Sequence, residues 1–392
     1  MKPISAAFFA LPLIAYTADP AVEWRGLHGV GVAAYAAGQF SRALPLLERA
    51  AETARALPKP DARRARTWND LGAVRYALGN HEAAVVAYRI ALEEWLALPT
   101  GREQIHGRAA TLNNWSVAER RLARYPEAER LAGHALALLA GNGLGPDGGV
   151  SGVQRTRVLQ NLAEVARLRG DLDAATAALA HATAAGQVDP VAAGNLLLTR
   201  AALALEQGAP DAAGALAGRA IGTLRDAVGE DDPRTASARS TLAVALFRQG
   251  RLGEAETILR AVAAVYRAQP DPEPLAAVLN NLGLIRSARS DDAEAEPLLR
   301  RAIAIWEERL GPRHPNVARG LENLGDLFAA QGKSSGAEKL YRRALAIAAE
   351  SGSAGLRDEI AAALTRLLET NGRTVEARRL RSLNSQSVRS QP

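Results

Sequence analysis

Leu279-Asn280-Asn281-Leu282-Gly283 and Leu321-Glu322-Asn323-Leu324-Gly325 stand 42 residues apart. Each is followed by a similar run, Ala295-Glu296-Pro297-Leu298-Leu299-Arg300-Arg301-Ala302-Ile303 after the first and Ala337-Glu338-Lys339-Leu340-Tyr341-Arg342-Arg343-Ala344-Leu345 after the second. A recurring frame of this length means that the 392 residues are to be read as an array of repeats before they are divided into globular domains.

The frame extends in both directions. Anchored on the small residue between two expected helices, it falls on Gly38, Gly79, Ala123, Gly170, Gly208, Gly250, Ser290, Gly332 and Gly372, with successive spacings of 41, 44, 47, 38, 42, 40, 42 and 40. Five residues after every anchor stands alanine: Ala43, Ala84, Ala128, Ala175, Ala213, Ala255, Ala295, Ala337 and Ala377. Seven further on alanine recurs, with Val262 and Asn384 as exceptions. Antiparallel helices approach closely only where one lays a small side chain against the other. Glycine at the anchor can take the positive φ that ends a helix and turns the chain. Larger apolar residues eight before the anchor (Val30, Leu71, Trp115, Leu162, Leu242, Leu282, Leu324, Leu364) are expected to fill the space between hairpins. Arg200 interrupts that series in the fifth unit, which also follows the shortest spacing, so this unit is expected to be the least regular. Asp19-Pro20, Asp189-Pro190, Asp232-Pro233 and His314-Pro315 each mark a first-helix start, where proline loses no hydrogen bond and aspartate caps well.

Composition agrees. Hydrophobic residues make up 48% of the chain and aromatics 4%, which suits closely packed helices better than strands. The net charge of +6 rests almost wholly on arginines interleaved with glutamates along the chain, a pattern of solvated helix faces. A nucleic-acid footprint would be a concentrated basic stripe, so nucleic acid is not the expected partner. The absence of cysteine excludes disulfides, zinc knuckles and thiol nucleophiles.

The frame Leu-x-Asn-Leu-Gly, then Gly, then Ala-Glu-x-x-x-Arg-Arg-Ala-Leu resembles tetratricopeptide repeats. The period near 42 and the links Leu310-Gly311-Pro312-Arg313-His314-Pro315-Asn316 and Val228-Gly229-Glu230-Asp231-Asp232-Pro233 resemble the kinesin-light-chain subtype. The resemblance spans roughly residues 20–384, strongest in units two, seven and eight. It implies an all-α, right-handed superhelical solenoid of about nine antiparallel helix-turn-helix repeats, with the first helices lining a concave groove. No coiled coil like that of kinesin light chains accompanies it, so motor association does not follow.

The first helices carry a recurrent polar series. Asp70, Asn114, Asn161, Asn281 and Asn323 stand two residues before the small helix-packing position, preceded by Asn69, Asn113, Gln160 and Asn280. About one turn back stand Arg25, Arg66, Arg157 and Arg319, on the same helix face. In related repeat domains the matching asparagines hold the backbone of an extended peptide and nearby basic residues take its acidic groups. An amide supplies a donor and an acceptor, and arginine a planar fork for carboxylates. Arg66, Asn69, Asn114, Arg157, Asn161, Asn281, Arg319 and Asn323 are therefore the candidate peptide-binding residues. The competing reading has these asparagines bond neighbouring helices and fix hairpin register. Thr199 and Thr241 replace asparagine in units five and six, so two gripping segments are expected, in units two to four and seven to eight.

No catalytic constellation or metal-ligand spacing is present, and the Gly-rich stretch 141–149 lacks the strand and Lys-Ser/Thr of a phosphate loop. No cofactor and no small-molecule substrate are expected. The expected role is a non-catalytic scaffold for a protein or peptide partner. The alternatives are a structural subunit of a larger, envelope-type assembly that uses the convex face or the ends, and a nucleic-acid-binding regulator.

Lys2, the apolar run Ile4–Tyr16 and Thr17-Ala18 resemble a secretory signal, which implies export to a periplasm or the exterior; the other reading is an apolar segment packed on the first hairpin. The run is too short to span a membrane. The expected organisation is a signal at 1–18, units one to three at 19–140, a Gly-rich loop at 141–152, units four to nine with a polar cap at 153–384, and a disordered tail at 385–392.

Overall fold

The computed structural model describes residues 19–141, 150–184, 189–269, 271–351 and 354–389. The expected signal segment and the glycines of the 141–152 loop, apart from its ends, lie outside the described residues. The described chain is eighteen helices in nine hairpins. The first three pair α1 (Pro20–Ala36) with α2 (Phe40–Arg55), α3 (Ala62–Ala77) with α4 (His81–Leu96), and α5 (Arg102–Arg121) with α6 (Tyr125–Gly141). The next three are α7 (Val150–Arg169) with α8 (Leu172–Ala184), α9 (Pro190–Glu206) with α10 (Pro210–Val228), and α11 (Pro233–Arg248) with α12 (Leu252–Arg267). The last are α13 (Glu273–Ala288) with α14 (Asp292–Leu310), α15 (Pro315–Ala330) with α16 (Ser334–Glu350), and α17 (Ala354–Thr370) with α18 (Thr374–Arg389).

All nine anchors adopt the left-handed conformation, including Ala123 (φ 58°) and Ser290 (φ 59°). The turn after α15 shows what this geometry achieves. Lys333 N–H donates to the Phe328 carbonyl at 2.8 Å and Gly332 N–H to Ala329 at 3.0 Å, satisfying carbonyls that the helix end would leave open.

The alanine five residues after each anchor is 0–1% exposed in every hairpin. On the facing first helix the small position is just as tight. A Cβ on Gly72, Gly283 or Gly325 would lie 2.5, 2.8 or 2.7 Å from Tyr88, Leu299 or Tyr341, respectively. The hairpins close because both partners are trimmed where they cross. Asp19, Asp189 and Asp232 cap α1, α9 and α11 through their carboxylates, and His314 caps α15 through Nδ1, which accepts the Asn316 N–H at 3.1 Å.

Two expectations need correction. The fifth hairpin is fully formed, with Ala213, Ala217, Ala220 and Leu224 of α10 unexposed; the short spacing before it falls where the 13-residue α8 of the fourth hairpin is the shortest helix. The tail expected to be disordered from 385 is helical as far as Arg389, because no glycine or proline interrupts α18.

Each first helix touches the first helix of the next hairpin as well as its own partner, so α1, α3, α5, α7, α9, α11, α13, α15 and α17 form a continuous inner wall. The buried clusters run between neighbouring hairpins, as in the one that joins Leu299, Trp306, Leu327, Tyr341 and Leu364. This nearest-neighbour core is what a solenoid has in place of a central one.

The superhelix also closes on itself. The turn ends of the early hairpins rest on the links of hairpins about five further along. Arg309 Nη2 donates to the Leu78 carbonyl at 2.9 Å, and His314 Nε2 to the Arg121 carbonyl at 3.0 Å. Arg121 pairs with Glu273 at 3.0 Å, and Arg309 with Asp271 at 3.4 Å. Gly170 of the fourth hairpin lies beside the backbone of Gly355 in the ninth. Successive turns of the superhelix therefore meet along a seam.

Candidate functional site

The inner wall carries three hollows. One of about 340 Å³ is lined by Arg66, Asn69, Asp70, Glu103 and His106, among others. A second, of about 250 Å³, is lined by Asn113, Arg120, Arg157, Asn161 and Glu164 with Val117 and Val191. The third, of about 170 Å³, is lined by Val244, Phe247, Leu284 and Ile285 together with Arg248, Asn281, Arg319 and Asn323. Seven of the eight candidate residues line one of these hollows; Asn114 does not.

The asparagines form a ladder with a stagger. The residue ten before one anchor bonds the residue nine before the next. His28 meets Asp70 at 2.9 Å, Asn114 Nδ2 donates to Asn69 Oδ1 at 3.2 Å, and Asn161 Nδ2 to Asn113 Oδ1 at 3.5 Å. Gln160 Nε2 donates to Thr199 Oγ1 at 3.4 Å, and Asn323 Nδ2 to Asn280 Oδ1 at 2.9 Å. Asn161 is also held by Ser116 Oγ at 2.8 Å and by Arg120 Nε at 3.1 Å, and it is buried. The register-fixing role therefore accounts for Asn69, Asn114, Asn161 and one donor of Asn323. Thr199 carries the ladder into the fifth hairpin, one unit beyond the break expected from sequence.

The ladder then stops. Leu198 stands where an amide would reach Thr241, and among the described residues Asn281 makes no side-chain hydrogen bond. Asn281 is the candidate amide left to face the third hollow. At the far end, Glu322 occupies the acceptor position, but Ala363 stands opposite in the ninth hairpin. Burial raises the Glu322 carboxyl to about 7, with Glu359 and Asp326 adding to the rise and Arg319 opposing it.

The arginine series is mostly neutralised across hairpins. Arg66 pairs with Glu103, Arg157 with Asp189 at 2.7 Å, and Arg319 with Glu359 at 3.2 Å. These are exposed pairs, weak enough to exchange for a ligand carboxylate. Arg248 has no acidic partner among the described residues and lies at the rim of the third hollow. Sequence reading passed over Arg248 and Phe247, because neither recurs at the same place in other repeats. Arg167 overcomes the cost of burial to hold the Glu164 carboxyl below its usual range, leaving an ionised pair at the second hollow. Among the described residues no group of three or more His, Asp or Glu side chains is placed to hold a metal, and no helix is long and apolar enough to cross a membrane.

A stack of hairpins with an inner wall of amides, arginines and apolar hollows defines a superhelical repeat protein of the kind that holds other chains. Two family models, both described as tetratricopeptide repeat, match the chain, one over residues 25–93 and 274–350 and the other over 108–146 and 235–268. The chain belongs to the tetratricopeptide repeat family, whose members generally mediate protein-partner binding and are typically non-catalytic.

Among solved structures, the chain is similar to a Rap protein complexed with competence and sporulation factor, at 13% identity over 91% of this chain and 99% of that one, with a TM-score of 0.56. It is also similar to BtubC (BKLC) from P. vanneervenii, at 22% identity over 59% of this chain and 91% of that one, TM-score 0.41. Kinesin-light-chain TPR-like repeats from Podosopora anserina match at 22% identity over 52% of this chain and 99% of theirs, TM-score 0.40. The likeness to the Rap protein is one of fold. No curated protein matches the chain.

Proposed function

We propose that the protein is a non-catalytic scaffold whose inner groove holds an extended peptide or partner segment, gripped most specifically at hairpins six to eight. The observation that carries this reading is the third hollow. It combines apolar side chains, an amide that no rung of the ladder uses, and a cation, Arg248, with no acidic partner among the described residues. An apolar ligand side chain fits beside Phe247 and Leu284, its backbone bonded by Asn281 and an acidic neighbour facing Arg248. That the Rap protein of like fold was solved with a factor bound is in keeping with this use.

Selection of a displayed random-peptide library on the full chain tests the reading. Enriched peptides should pair an apolar with an acidic residue and lose binding to Asn281→Ala and Arg248→Ala while the melting temperature stays unchanged. Binding unaffected by both variants would contradict it. We also propose that residues 1–18 direct export, on the strength of Lys2 and the apolar run after it; N-terminal sequencing of the protein from its source would show Asp19 at or near the start.

A further inference from the structure

In a solenoid each hairpin touches its neighbours, and stability is carried from one to the next. The seam departs from that rule and differs in kind from the rest of the packing. None of the buried apolar clusters extends across it; each stays within two or three consecutive hairpins. What crosses it is polar: the Arg309 and His314 bonds to the carbonyls of Leu78 and Arg121, and the pair between Arg121 and Glu273. Water would satisfy those carbonyls equally well, so parting the seam exposes no core. A cost of closure is visible as well. His81 lies under the seam, 4% exposed, and both its ring nitrogens lack a hydrogen-bond partner. Opening would hydrate it.

We propose that the seam is a reversible latch, with the Arg121–Glu273 pair and the His314 and Arg309 bonds holding the superhelix closed against an extended state in which the hairpins are intact and the turns part. Extension widens the inner groove without unfolding any repeat. The proposal concerns the shape of the chain alone and stands or falls apart from what the groove holds.

The chain has no cysteine, so two can be introduced and labelled cleanly. Asn80→Cys and Arg313→Cys, both exposed, flank the seam on its two sides. Pulsed EPR distances between spin labels there should show a short population in the parent. Arg121→Glu should shift it to longer and broader distances with unchanged far-UV circular dichroism, and Arg121→Glu with Glu273→Arg should restore the short one. Should Arg121→Glu lose helical content, Arg309→Ala, which removes the bond to the Leu78 carbonyl, carries the same expectation. A short distance that persists in folded Arg121→Glu or Arg309→Ala, or a swapped pair that fails to restore it, would overturn the latch.

Discussion

His314 and Arg121 are 193 residues apart, and the imidazole of one donates to the backbone carbonyl of the other at 3.0 Å. The same ring accepts the Asn316 N–H through Nδ1 at 3.1 Å, so it is the neutral tautomer protonated on Nε2. One side chain caps α15 and ties the eighth hairpin to the third. Replacing it tests both roles. His314→Ala should lower unfolding stability by about 1 kcal/mol, the usual loss for a helix cap, whereas His314→Asn should keep most of the cap. Urea denaturation of the two variants measures this, and equal midpoints would mean that the cap contributes nothing.

The same geometry fixes a pH dependence. Burial, with the Arg121 charge opposing protonation, lowers His314 from 6.5 to about 4. His81 is also lowered to about 4, by burial and by Arg121, with Asp271 acting in the other sense and Arg309 and His314 adding to the fall. Between these values the unfolded chain binds more protons than the folded one. The contribution of both histidines is therefore whole above about pH 6.5 and is lost as pH falls towards 4. Thermal melts from pH 7 to pH 4 should show a steeper fall for the parent than for His81→Gln with His314→Asn.

Glu322 runs the other way. Its carboxyl, raised to about 7 by burial, stays neutral in the fold where the unfolded chain would already be ionised. The stability tied to it is present below pH 4.5 and is lost as pH rises through 7. Glu322→Gln should accordingly stabilise the chain at pH 8, by on the order of 1–3 kcal/mol. No gain in denaturant midpoint at that pH would show that the group is better solvated than its burial implies.

Ala123 and Ser290 hold the left-handed turn that glycine holds in the other seven hairpins. A side chain there costs about 1–2 kcal/mol against the same turn in glycine, less the extra freedom glycine has when unfolded. Ala123→Gly and Ser290→Gly should each raise the midpoint modestly. Gly325→Ala should lower it, because the new methyl meets Tyr341 at 2.7 Å and overpacking typically costs about 1–3 kcal/mol.

The hairpin architecture was legible because its determinants are local and repeated. Nine alanines in register and nine turn residues mark where two helices cross and where each first helix ends, and every repeat restates them. The inner wall was legible in part. The amide columns were visible, but that Asn69 pairs with Asn114 and Asn280 with Asn323 depends on the stagger between hairpins, which no single repeat encodes. Arg248 was not legible, since a specificity feature used once leaves no periodic trace. The seam left none either. Arg309 and Leu78 lie 231 residues apart, and which residues meet depends on the small rotations accumulated over the hairpins between them. Thr199 shows the limit of reading identity for role, because its hydroxyl serves as a rung as an amide would.

The central claim is that the inner wall is the binding surface. A photo-reactive residue in place of Val244, in the third hollow, and another in place of Val86, exposed on the second helix α4, separate the two faces of the solenoid. Irradiated with a library-selected peptide, the chain should cross-link from position 244 and not from 86. Cross-links from 86 with none from 244 would contradict the account.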